Sequence, residues 1–150
     1  MRRIFALLAS LLVLAVAVQF FLAASGAFDT APKDESFQPH RALGLGILLF
    51  AVVLTIVAAL ARMPGRLIGM TGLVAALTGV QSLIRAVADA IADTSTTVGN
   101  LVFGLHAVNG LAIMALAVAV ARRARALSRT AVIVQTAEAC GGTKTSGPEA

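Results

Sequence analysis

Four long apolar runs, at about residues 4–24, 39–61, 67–90 and 101–121, alternate with short polar segments along the chain. Each run is continuous Leu, Ala, Val and Ile, with no strict alternation of apolar and polar positions. Crossing a hydrocarbon layer of roughly 30 Å takes about 20 helical residues at 1.5 Å each. A lipid-facing barrel would show alternating segments of about 10 residues instead. The pattern therefore predicts an all-α fold, a four-helix transmembrane bundle with antiparallel up-down-up-down topology, forming one domain over residues 1–121. No internal repeat stands out.

The connections carry turn chemistry. "SGAFDTAPKDESFQP" should be irregular, with Asp34 or Ser36 capping the next helix and Pro39 tolerated in its first turn. "RMPGR" is a tight turn in which Pro64 and Gly65 separate two helices. "ADTSTTVGN" offers Thr94, Ser95 or Thr97 as caps. Residues 122–150 are predicted as a tail, basic at first and lying against anionic headgroups, then rich in Gly, Thr and Ser and disordered. Arg2 and Arg3 before an apolar run resemble a signal peptide, with Ser25-Gly26-Ala27 as a cleavage site. The run nevertheless exceeds the 7 to 15 residues of a signal core, which predicts a retained first helix.

Composition strengthens the membrane assignment: 59% of the 150 residues are hydrophobic and 13% charged, with a mean hydropathy of +0.93, far from a soluble domain. Membrane lipids are then the first partner. The net charge of +5 is distributed unevenly. Arg2, Arg3, Arg62, Arg66, Arg122, Arg123, Arg125, Arg129 and Lys144 fall on one side of a four-span topology. The other side holds Lys33 with Asp29, Asp34, Glu35 and Asp93. The positive-inside rule then predicts a multi-pass protein of a plasma membrane with both termini cytoplasmic. Nucleic acid is not an expected partner, because no aromatics interleave with these arginines. Cys140 is the single cysteine, so neither an internal disulfide nor a thiolate cluster can form.

Polar side chains inside a bilayer are costly and point to function. Gln19, His40, Arg41, Gln81, Arg85, Asp89, His106 and Asn109 all map to the outer half of the bundle. His40 and His106 open two helices that run parallel, and two such imidazoles can ligate one haem iron from opposite faces. Gly44 and Gly110, one turn deeper than each histidine, would leave room for a flat macrocycle or promote close helix packing. Arg85 could face a propionate, with Gln81 and Asp89 one turn to either side. Plainer readings exist: interfacial histidines, Arg41 snorkelling to headgroups, Arg85 paired with Asp89, and Gln19 or Asn109 as interhelical glue. The chain from His40 to Arg62 is also longer than that from His106 to Arg122, by about 9 Å of helix. If both arginines mark the inner interface, the histidines differ in depth.

"HRALG", residues 40 to 44, together with His106, resembles one half of haem A synthase. That family has two similar four-helix bundles, each with a histidine on its second and fourth helices and a His-Arg-x-x-Gly motif on the second. The resemblance covers roughly residues 4–121 and implies that His40 and His106 are axial ligands of a b-type haem. Phe37 stands where that family has a glutamate, so the likeness implies haem binding and electron transfer, not haem A synthesis. "VQFFLAASGAF", "PHRALG" and "LHAVNGL" also resemble a family of small uncharacterised four-helix membrane proteins of high-GC bacteria. The leading expectation is haem b held by His40 and His106, with Arg85, Gly44, Gly110, Gln81 and Asn109 around it, in electron transfer or in a redox complex. Two alternatives are an assembly subunit packing through Gly69, Gly72 and Gly79, and a lipid or quinone pocket anchored by His106 and Arg85.

Overall fold

The computed structural model describes residues 1–92 and 96–141, with side chains described for 1–91 and 97–129. Its elements are α1 (Arg2–Phe28), α2 (Lys33–Ser36), α3 (Gln38–Leu60), α4 (Gly65–Ala92) and α5 (Thr96–Gly141). The four long helices are each long and apolar enough to cross a membrane. α2 is a single turn in the first connection, which the sequence predicted as irregular.

Local chemistry explains the boundaries. Pro39 lies in the first turn of α3, but the capping position is Phe37, with no side-chain cap. Neither Asp34 nor Ser36 caps that helix; the Ser36 hydroxyl donates back to the Ala31 carbonyl at 2.9 Å. Thr97 lies inside α5, and Thr94 and Ser95 fall outside the described residues. The exit of α3 is a Schellman-type turn: Arg62 adopts φ 49, its N–H reaches the Ala59 carbonyl at 3.0 Å, and the Met63 N–H reaches that of Ala58 at 3.0 Å. Arg62 therefore sits where glycine is usual, and Gly65 is the first residue of α4.

α5 departs most from expectation. It runs through residues 122–141, where the sequence predicts a basic and then disordered tail with at most a short helix or strand at AVIVQTA. Residues 111–140 contain neither glycine nor proline, and Arg, Ala and Leu are strong helix formers, so nothing stops the helix at the first arginines. Lys144 and the rest of 142–150 lie outside the described residues, as does the side chain of Cys140.

α1 packs against α3 and α5, and α4 packs against the same two helices. α1 and α4 thus occupy one diagonal of the bundle, and α3 and α5 the other. Contacts join the end of α1 to the start of α3 (Gln19 with His40) and the end of α4 to the start of α5 (Gln81 with His106), so neighbours in sequence run antiparallel. The buried positions show a repeat that was not evident in the sequence. Phe5, Ala9, Leu12 and Val16 of α1 correspond, at one constant offset, to Leu67, Thr71, Val74 and Thr78 of α4, and all eight are buried. Ile47, Ala51, Leu54 and Ala58 of α3 correspond, at a second constant offset, to Ile113, Ala117, Val120 and Ala124 of α5, again all buried. The molecule is two similar hairpins packed about a pseudo-twofold axis. Both hairpins run in the same sense, so that axis lies along the bundle.

Thr71 and Thr78 satisfy their hydroxyls on carbonyls of their own helix, at 3.0 Å to Leu67 and 2.8 Å to Val74. The outer surface is apolar: Leu49, Leu83 and Leu111 are about 60% exposed (59%, 62% and 63%), as lipid contact requires. Gly26 is a close approach, because a Cβ there would lie 2.7 Å from the Ser36 carbonyl oxygen. Backbone cannot yield as a side-chain tip can. Gly26→Val should therefore cost about 1–3 kcal/mol in unfolding from mixed micelles by pushing the α2 connection off α1. Unchanged stability would contradict this packing.

Candidate functional site

The second offset continues upward from the core into both histidines. Phe37, His40, Gly44, Leu45 and Ile47 on α3 match Phe103, His106, Gly110, Leu111 and Ile113 on α5, a shared F-x-x-H-x-x-x-G-L-x-I pattern. The first offset continues through Val18-Gln19 into Val80-Gln81. Each hairpin therefore carries a matching Gln, His and Gly toward the end remote from Met1.

The geometry of the two units is parallel. Gln19 Nε2 donates to the His40 carbonyl oxygen at 2.8 Å, and Gln81 Nε2 donates to the His106 carbonyl oxygen at 3.0 Å. Gln19 and His40 are 21 residues apart, and Gln81 and His106 are 25 apart, a difference of about one helical turn in the connection. Asn109 Nδ2 adds a further bond across α4 and α5, to the Leu77 carbonyl at 2.9 Å. Bonds of this type hold transmembrane helices in register.

From opposite corners of the bundle, the His40 and His106 rings approach to a centroid distance of 6.2 Å, with their planes tilted by 48°. The depth difference read from the arginines is therefore not present. Arg62 lies in a turn that ends α3, whereas Arg122 lies within α5, which continues beyond it, so the two do not mark the same level.

The imidazole environments are specific. His40 Nδ1 lies 3.2 Å from the Gln19 carbonyl oxygen, which can only accept; Nδ1 must then carry the proton. That leaves a lone pair on Nε2, 3.3 Å from the Gln19 amide nitrogen. Phe37 meets the His40 ring edge-on at 6.1 Å, and Phe103 stacks on His106 at 5.2 Å with only 8° between planes. His106 Nδ1, Gln19 Oε1 and Gln81 Oε1 are buried without a hydrogen-bond partner. Three such atoms in one layer are unusual, since buried polar groups are nearly always paired.

The glycines do not border open space. A Cβ on Gly44 would meet Gln19 Nε2 at 3.0 Å, and one on Gly110 would meet Phe20 Cζ at 3.3 Å and Gln81 Nε2 at 3.4 Å. The room expected beside each histidine is taken by the ends of flexible side chains, with no backbone among the contacts. Arg85 pairs with Asp89 at 3.4 Å, both partly exposed, which is the intrahelical reading. Arg41 bonds to Asp34 through the Asp34 carboxylate and carbonyl. Of the predicted residues, His40, His106, Gln81, Gly44, Gly110 and Asn109 come together in one layer, and Gln19 joins them. Phe20, Phe37 and Phe103 were missed; the Phe-x-x-His spacing shared by the two hairpins is the signal that could have found two of them. Among the described residues, no group of three or more His, Cys, Asp or Glu side chains could hold a metal ion.

Residues 19–88 match a family of unknown function, DUF6220. The match runs from Gln19 to Ala88, a little under half of the chain, and so takes in His40 and Gln81 but not His106. No curated protein and no solved structure matches. The chain is a multi-pass membrane protein by its four apolar helices, and the comparisons attach no activity to it.

Proposed function

We propose that the protein holds a b-type haem between His40 and His106 and serves in electron transfer or as an accessory subunit of a membrane redox complex. The supporting observation is the 6.2 Å separation of the two imidazoles across the bundle centre. Two imidazoles that shared one iron through metal–nitrogen bonds of roughly 2 Å would have their ring centres about 6 Å apart, and His40 and His106 would be the residues to hold it. With Nδ1–H held by the Gln19 carbonyl, His40 has the tautomer a ligand needs, and its Nε2 lone pair faces the Gln19 amide, which would have to move to free it. Seating the macrocycle requires Gln19, Phe20 and Gln81 to swing away from the two glycine faces, and only side-chain ends stand there. Arg85 would exchange Asp89 for a propionate. When bound, the haem supplies a one-electron carrier; the chain's own residues fix its position and exclude water.

The charge distribution supports an orientation with both termini in the cytoplasm and the histidine layer in the outer leaflet, and the resemblance to small membrane proteins of high-GC bacteria supports a bacterial plasma membrane. The resemblance to one half of haem A synthase supports the same ligand assignment. Protein purified from cells supplied with haem should show a Soret band and a reduced-minus-oxidised difference spectrum; a colourless preparation would contradict the proposal.

A second reading is an assembly subunit without a cofactor. It is favoured by Gly69 and Gly79, beside which a Cβ would meet nothing within 4 Å, leaving small-residue surface on α4 for another helix. A quinone is less well supported, because its carbonyls need donors and two of the three unpartnered atoms are amide oxygens.

A further inference from the structure

At the other end of the bundle, a groove of about 700 Å³ opens between α1 and α5. Ala6 and Leu7 form its apolar floor, and Arg3, Arg125 and Arg129 rim it with Ser10 and Ser128. Arg125 is held across the groove by Ser10, whose Oγ accepts from Nε at 3.1 Å and from Nη2 at 2.8 Å. None of these guanidiniums meets a carboxylate among the described residues; the two ion pairs there, Arg41 with Asp34 and Arg85 with Asp89, are both at the outer end.

The pseudo-twofold axis provides an internal comparison. Where the α1–α5 groove has Ser10, Arg125 and Arg129, the equivalent positions between α4 and α3 are Gly72, Ala59 and Met63. There the turn that joins α3 to α4 places Met63 at the position of Arg129 and buries it to 6% exposure. Among the described residues the α1–α5 groove has no such turn, because α5 runs on past it. One of the two equivalent places thus holds a buried apolar side chain, and the other is open and triply basic. Above it, Leu7 and Leu11, 71% and 51% exposed, continue an apolar stripe along α1 toward the membrane interior.

We infer that the α1–α5 groove binds an anionic phospholipid, with its headgroup phosphate on Arg3, Arg125 and Arg129 and an acyl chain along Leu7 and Leu11. A guanidinium suits a phosphate through paired N–H donors, and basic pockets between transmembrane helices hold anionic headgroups in this way. The apolar stripe selects a lipid over a free phosphate. This inference is independent of haem.

The test uses the full chain, delipidated in neutral detergent and titrated with phosphatidylglycerol or phosphatidylcholine, with native mass spectrometry as the readout. Phosphatidylglycerol should bind about tenfold more tightly or better than phosphatidylcholine. Arg125→Ala with Arg129→Ala should weaken it about thirtyfold, at roughly fivefold per arginine. Arg62→Ala with Arg66→Ala makes the same charge change at the α3–α4 turn and should stay within about twofold. If the alanine pair loses helical circular dichroism, Arg125→Gln with Arg129→Gln replaces it. Equal affinity for the two lipids, equal effects of the two arginine pairs, or displacement of the lipid by an equal concentration of inorganic phosphate would each overturn the inference.

Discussion

Replacing either His40 or His106 by alanine should strip the protein of haem while leaving the bundle folded. On the proposed reading each histidine would be one of two ligands, and neither would have a substitute within reach; the other described polar atoms of the layer are amide groups, poor ligands for haem iron. Outer partners of metal ligands alone are worth 10–100-fold in affinity, so losing a ligand itself should cost more than about a hundredfold. Stability should change little, because the helix contacts beneath come from Ile47, Leu54, Ile113 and Val120 and are untouched. Free imidazole should restore part of the absorbance in either variant, since the vacated ring leaves a space of its own shape. If the Soret band persists in both single variants, the ligand assignment is wrong; if both variants fail to fold, the histidines are structural.

The second large effect is on stability. Leu12 and Leu54 are fully buried, at 0% exposure, on neighbouring helices of the same hairpin. In water, Leu→Ala at such sites costs about 2–5 kcal/mol from lost transfer energy plus the cavity. In a bilayer the surrounding lipid is as apolar as leucine, so the transfer contribution largely disappears and the cavity remains. Leu54→Ala should therefore destabilise by about 2 kcal/mol, near the low end of that range. Leu49→Ala, on the 59% exposed lipid face of the same helix, should be close to neutral. Unfolding from mixed micelles with increasing denaturing detergent separates the two, and equal effects would mean that the core is not where the packing places it.

How much of this was legible in the sequence depends on the range of the signal. The four helices follow from local apolar runs, because a membrane imposes length and composition directly. The arginines after Ala121 predict a helix boundary that α5 does not have. A helix can carry arginines onward as long as no glycine or proline interrupts it; Pro64 and Gly65 mark the end of α3 in the sequence, whereas only the structure shows that α5 continues past Arg122.

The repeat was present as F-x-x-H-x-x-x-G-L-x-I in both halves. It was hidden by connections that differ by about one helical turn and by pairs such as Phe5 with Leu67 or Ala9 with Thr71, which share burial and not identity. Convergence of the two histidines was predictable from parallel helices. The occupants of the glycine faces were not, since Gln19 and Phe20 reach them from another helix at long separation. Arg85 was ambiguous in the sequence, and its pairing with Asp89 follows the ordinary i, i+4 geometry.

The most direct measurement is a haem titration of the purified full-length protein, followed by its absorption difference spectrum, beside the double variant His40→Ala, His106→Ala. The account predicts saturation at one haem per chain with a low-spin, two-imidazole spectrum, and no saturable binding in the double variant. Saturation at the same stoichiometry in both proteins, or no binding by the unaltered chain, would contradict it.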